Sequence, residues 1–235
     1  MLGEFLELSL PTRDPLESLA FWQRAGFVSA PVGGARAHPY AVLSDGRFHV
    51  GLHQSDLAAP TLTFVHHGLR EHAPKLEALG IVLDHFRFGT DCFNELSFLD
   101  PDGQRLCLVE ARTFSAAAEP PDGSRFGWCG EYRMPTRSTR DAVRYWEALG
   151  FLAVPHARAR DARLLAATGI NLGVHPALRA PALAFYDEGM GARVERLIEA
   201  GIAMRRVQRA RDGRFENAEL SSPEGLTILL IEGHL

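Results

Sequence analysis

Residues 7–27 read ELSLPTRDPLESLAFWQRAGF and residues 131–151 read EYRMPTRSTRDAVRYWEALGF, an ungapped match at an offset of 124. Glu7 meets Glu131, Pro11-Thr12-Arg13 meets Pro135-Thr136-Arg137, Phe21-Trp22 meets Tyr145-Trp146, and Gly26-Phe27 meets Gly150-Phe151. A match of this quality at one offset marks an internal repeat, and it decides how the rest of the chain is read.

Each copy predicts a strand, a turn and a helix. Leu6, Leu8 and Leu10 alternate with Glu7 and Ser9, the period of a half-buried strand. Asp14-Pro15 supplies a helix N-cap followed by proline at the first helical position, and Gly26 stops the helix. Outward from this stretch, YAVLS and FHVGLH are strands joined at Asp45-Gly46, and TLTFV is a third. A helix over 69–79 and the strands VLDHFRF, FNELSFL and RLCLVEA follow. The repeat extends: APTLTF (59–64) returns as APALAF (180–185), and VGLH (50–53) as LGVH (172–175). The reading is two units, 1–113 and 127–235, joined by a Pro/Gly-rich linker at 114–126.

The pattern L-x-x-x-D-x-x-x-S-x-x-F-[WY]-x-x-x-G-F, with FLDPDGQRLCLVE at 98–110, resembles the vicinal oxygen chelate superfamily of glyoxalase I, bleomycin and fosfomycin resistance proteins and extradiol dioxygenases. Residues 221–232, SSPEGLTILLIE, depart from its closing motif. The resemblance implies an α+β fold: four βαβββ modules forming two glyoxalase-like domains, each a curved mixed sheet with helices outside and a concave cup inside. It also implies a metal site built from cup-facing strand residues. Carried over, those positions are Glu7, Thr61 and Cys107 in the first unit and Glu131, Ala182 and Leu229 in the second.

Composition limits the alternatives. The chain has 235 residues, 46% of them hydrophobic, a formal net charge of -4 and no basic stripe, which excludes a nucleic-acid partner. No apolar run of about 18 residues predicts a membrane span. No signal peptide is evident, and the three cysteines Cys92, Cys107 and Cys129 suggest neither a disulfide framework nor a zinc knuckle, so a cytoplasmic location is expected.

Strand alternation sorts the faces. Phe5, Glu7, Ser9, His49, His53, Thr61 and Cys107 should face the first cup, and Glu131, Arg133, His175, Ala182, Ala184 and Tyr186 the second. A catalytic metal needs about three protein ligands, and apolar residues stand where the second unit's should be, so no metal is expected there. In the first unit, Glu7, His53 and Cys107 are the set that would hold a divalent ion; no cofactor is the default. His53 and His175 read as strand-end histidines bonded to backbone, and Cys107 as a small buried hydrophobe. His38, His72, His85, His156 and His234 have no spacing partner.

Glu7 and Glu131 are then the catalytic candidates, as recognition groups or general bases, with Ser9, His49, His53, Thr61, Cys107, Arg133, His175 and Tyr186 around a small organic ligand. The expected function is small-molecule binding of the bleomycin-resistance kind, in a monomer or a homodimer. The alternatives are a metal-dependent glyoxalase-like lyase, isomerase or dioxygenase, and a metal-independent enzyme using Glu7 or Glu131 as base.

Overall fold

A computed structural model describes residues 1–34, 36–55, 57, 59–116 and 123–235. The linker expected at 114–126 falls partly outside the described residues. The elements fall into four βαβββ modules. The first is β1 (Glu4–Pro11), α1 (Pro15–Arg24), β2 (Val28–Ala30), β3 (Tyr40–Ser44) and β4 (His49–His53). The second is β5 (Thr61–Val65), α2 (Leu69–Ala78), β6 (Leu83–Arg87), β7 (Glu95–Leu99) and β8 (Arg105–Val109). The third is β9 (Trp128–Pro135), α3 (Thr139–Ala148), β10 (Leu152–Pro155), β11 (Arg163–Ala167) and β12 (Ile170–His175). The fourth is β13 (Ala182–Asp187), α4 (Met190–Glu199), β14 (Arg206–Arg209), β15 (Phe215–Ser221) and β16 (Thr227–Glu232).

Two modules build one eight-stranded sheet, in the order β2-β3-β4-β1-β5-β8-β7-β6, and the other two repeat it as β10-β11-β12-β9-β13-β16-β15-β14. The strands that open the modules meet antiparallel at the centre, β1 on β5 and β9 on β13, while β1–β4 and β5–β8 run parallel. The central strands therefore carry the acids Glu7 and Glu131 to the middle of each sheet.

The first helix starts where the sequence predicts, and its repeat partner has an equivalent cap. Asp14 Oδ1 accepts the amides of Leu16 and Glu17 at 3.0 and 3.1 Å, and Ser138 Oγ accepts that of Asp141 at 3.3 Å. Their apolar faces cover the convex sides of the sheets, and Trp22 and Trp146 are fully buried there.

One core runs through both halves. Phe126 is its joint: the ring is fully buried and lies 6.2 to 6.4 Å from Phe21, Trp22 and Phe27 of the first half and 5.2 Å from Phe185 of the second. Tyr132 donates to Gln104 Oε1 at 3.0 Å, and Thr136 to Asp102 Oδ2 at 2.6 Å, so polar contacts tie the halves as well.

Two expectations about strand faces fail for one reason. The β1–β5 register slips between Phe5 and Glu7, a bulge that turns the strand over. Phe5 then points to the helix side, against Phe48 and Phe64 at 5.7 and 5.6 Å. Leu6 takes the cup side, packed with Ala30, Val42, Val65, Val109 and Phe114. The β9–β13 pairing slips at the matching place, between Ala184 and Phe185.

Candidate functional site

Each cup is built around one buried carboxylate. Glu7 leans over Gly51 and Glu131 over Gly173. A methyl group at Gly51 would lie 2.3 Å from Glu7 Oε1, and one at Gly173 1.9 Å from Glu131 Oε2. Only glycine leaves room there. Two residues further along, His53 and His175 turn their Nε2 atoms onto the same carboxylates, at 2.8 and 3.3 Å. Both histidines bond a carboxylate, which corrects the expectation of backbone-bonded strand ends.

In the first cup, Glu7 Oε1 also accepts the Ser9 hydroxyl at 2.7 Å, and Tyr40 donates to Oε2. Burial opposes the charge on Glu7, but the His53 contact, with Tyr40 and Ser9, holds its carboxyl below the usual range. His53 Nδ1 lies 2.9 Å from His38 Nε2, so a line His38–His53–Glu7 runs from the cup wall into the sheet. A cavity of about 330 Å³ opens over it, lined among others by Ser9, Arg36, His38, His53, Thr61, Thr63 and Cys107. His49 stands apart, its ring 4.9 Å from Phe114.

The proposed ligand set Glu7, His53 and Cys107 does not converge. Among the described residues it forms no group within ligating distance. Both His53 nitrogens are already used, and burial pushes the Cys107 thiol up to about 12, so it keeps its proton. By register Thr63 lies level with Glu7, and Ala184 level with Glu131.

The second cup is convergent instead of linear. Glu131 Oε1 accepts Arg133 Nε at 2.8 Å and the Tyr186 hydroxyl at 2.7 Å. His156 Nε2 lies 3.1 and 3.2 Å from its two oxygens. Burial opposes the charge on Glu131, and His175, Arg133, Tyr186 and His156 together outweigh it, holding the carboxyl well below its usual range. Burial and Glu131 raise the Tyr186 hydroxyl, which stays protonated.

Glu131, His156 and His175 are all buried, and one donor atom from each lies within 4.8 Å of the others. The sequence argued against a metal in this cup, because Ala182 and Leu229 stand at the positions where the resemblance places ligands. The histidines arrive from the other side, one at the end of β12 and one just after β10. His156 and His38 were missed because they sit in the equivalent β10–β11 and β2–β3 loops at different distances from the repeat. The only sequence signal is that each of these loops carries a histidine.

The set fits a divalent ion in donor chemistry and spacing. Two imidazoles and a carboxylate are the facial set of non-haem iron sites. Bonds of about 2.1 Å place neighbouring ligand atoms roughly 3 to 3.5 Å apart, as the Glu131 oxygens and the histidine nitrogens are here. Two contacts oppose it. Arg133 competes for Glu131, and the Arg158 amide donates to His156 Nδ1 at 3.1 Å, where a metal-bound imidazole carries its own proton. Loading requires that hydrogen bond to open.

No protein-family model matches the chain, and no curated protein matches it in sequence. Solved structures do. A catechol 2,3-dioxygenase superposes with a TM-score of 0.63 at 14% identity over 99% of this chain and 88% of its own. Homoprotocatechuate 2,3-dioxygenase from Brevibacterium fuscum gives 0.64 at 14% over 99% and 72%. The 2,2',3-trihydroxybiphenyl 1,2-dioxygenase of Sphingomonas wittichii strain RW1 gives 0.59 at 15% over 99% and 91%. These neighbours lend no support to a bleomycin-type binder. Among the described residues no helix is long and apolar enough to cross a membrane. The chain has the two-domain fold of the extradiol dioxygenases, the architecture of the vicinal oxygen chelate superfamily.

Proposed function

We propose that the chain is a divalent-metal-dependent enzyme acting on a small organic molecule in the second cup, with ring-cleaving dioxygenation as the reaction class. The observation that carries this reading is the buried Glu131–His156–His175 set. The likeness to extradiol dioxygenases selects the reaction class, and it is a likeness of fold.

A redox-active divalent ion in such a set supplies Lewis acidity and one-electron chemistry at open coordination positions. The chain's own residues do the rest. Arg133 and Tyr186 fix the orientation of the Glu131 carboxylate, and Arg133 Nη2 in turn donates to the Tyr186 oxygen at 2.8 Å. Tyr186 Oη keeps its proton and is the donor nearest the carboxylate. Ala184 and Leu229 stand beside Glu131 as apolar neighbours.

The test is metal content by mass spectrometry on untagged protein after loading with iron(II), manganese or zinc and dialysis. About one ion per chain, lost in His175→Ala, is the expected result. Oxygen uptake with catechol should then follow the iron content. Absence of a retained ion in the wild-type chain overturns the proposal.

A further inference from the structure

The first cup contains a site that the second-cup chemistry does not use. Its cavity of about 330 Å³ is at the small end of the range for ligand pockets. Two polar atoms in its lining, Arg36 Nε and Ser55 Oγ, are buried without a partner among the described residues. Buried orphans at a cavity wall are the sign of a missing ligand, because an unmade hydrogen bond is costly. Arg36 is held over this wall by Glu95, at 2.8 Å.

The proton positions follow from the acid. An ionised Glu7 only accepts, so His53 Nε2 carries the hydrogen of that contact. In the neutral ring, His53 Nδ1 is then an acceptor, and His38 Nε2 donates to it. The lone pair of His38 Nδ1 remains, on a half-buried side chain in the cavity lining. Burial, with the Arg36 guanidinium nearby, lowers the pKa of His38, which favours the neutral ring.

We propose that this cup is a metal-free general-base site for a small enolisable carbonyl compound, with His38 Nδ1 as the base and Arg36 facing the carbonyl oxygen. In the reaction the C–H bond next to the carbonyl breaks. Its proton goes to His38 Nδ1, and the electron pair moves onto the oxygen beside the Arg36 guanidinium. Return of the proton to carbon or to oxygen completes the tautomerisation, so no oxidant or co-reactant is needed. Glu7 and His53 are positioning residues: they fix the tautomer of His38 and accept charge as it is protonated.

The experiment uses the full chain stripped of metal by a chelator, with phenylpyruvate as probe. Enol decay is followed by ultraviolet absorbance and α-hydrogen exchange by NMR in deuterium oxide. The stripped wild-type protein should accelerate both over buffer. His38→Ala should lower kcat by about 100-fold or more, and Glu7→Gln should lower kcat while leaving KM close to wild type. His38 is at the cavity wall, so its replacement is expected to leave the melting temperature near wild type, which a thermal melt checks. A rate equal to buffer, an unchanged rate in His38→Ala, or a rate that vanishes on metal removal overturns the assignment. Failure to retain metal, by contrast, overturns only the second-cup reading.

Discussion

The two cups share a frame and differ in how it is completed. Both have an acid on the central strand, a glycine beneath it and a histidine two residues beyond the glycine. Position two after the acid is Ser9 in one and Arg133 in the other, and each bonds the carboxylate, at 2.7 and 2.8 Å. The tyrosine comes from β3 as Tyr40 and from β13 as Tyr186, on opposite sides of the acid. The extra histidine bonds the first histidine in one cup and the carboxylate itself in the other. In one cup the polar groups line up from the acid to the wall, and in the other they gather around the acid. One repeated scaffold thus presents two arrangements of side chains around its acid.

The largest expected effect breaks the symmetry between the acids. Glu131→Ala leaves the partly buried Arg133 without its counter-charge and should cost about 3–5 kcal/mol in urea unfolding. Glu7→Ala leaves no arginine without its counter-charge and should cost less, about 1–3 kcal/mol. Equal losses would mean that Arg133 re-pairs or reaches solvent. Phe126→Ala tests the joint between the halves and should cost about 3–5 kcal/mol, with a single transition replaced by two if the halves come apart.

Smaller effects sharpen the comparison. Gly173→Ala should displace Glu131 and abolish metal retention, at about 1–3 kcal/mol, while Gly51→Ala, with a similar stability cost, should leave metal retention intact and stop exchange at the first cup. Loss of metal in both variants would show that the cups are coupled.

The smallest effect is at the rim between the halves. Burial raises the Asp102 carboxyl, but Thr136 and Arg137 outweigh it and hold its pKa below the usual range. A depressed carboxyl stabilises the fold above its unfolded pKa, and this contribution is lost as pH falls through the folded value. Asp102→Asn should therefore flatten part of the acid limb of stability below about pH 4, by no more than about 1 kcal/mol for so exposed a group. An unchanged acid limb would remove Asp102 from the interface.

Much of the fold was legible in the sequence because its signals are local. The repeat gave the two units, and Asp14-Pro15 gave the first helix start. Alternation also placed Glu7, Ser9, Glu131, Arg133 and Tyr186 on the cup face. It failed at Phe5 and Leu6, where one bulge inverts the strand, and a bulge depends on the partner strand. It gave no access to His38 and His156, since loop side chains have no period. The set Glu7, His53 and Cys107, which would have held an ion had one bound there, does not converge, because strand facing does not fix distance.

By itself the sequence determined a two-unit repeat, the strand and helix order within it and an acid in the first strand of each unit, since period and caps act within a few residues; four modules in two sheets were what the resemblance implied. Only the tertiary structure decided what surrounds each acid. That depends on where separate loops return, on a bulge in one strand, and on glycines that admit a carboxylate at contact distance. The same retained glutamate therefore closes a relay in one half and a two-histidine, one-carboxylate cluster in the other.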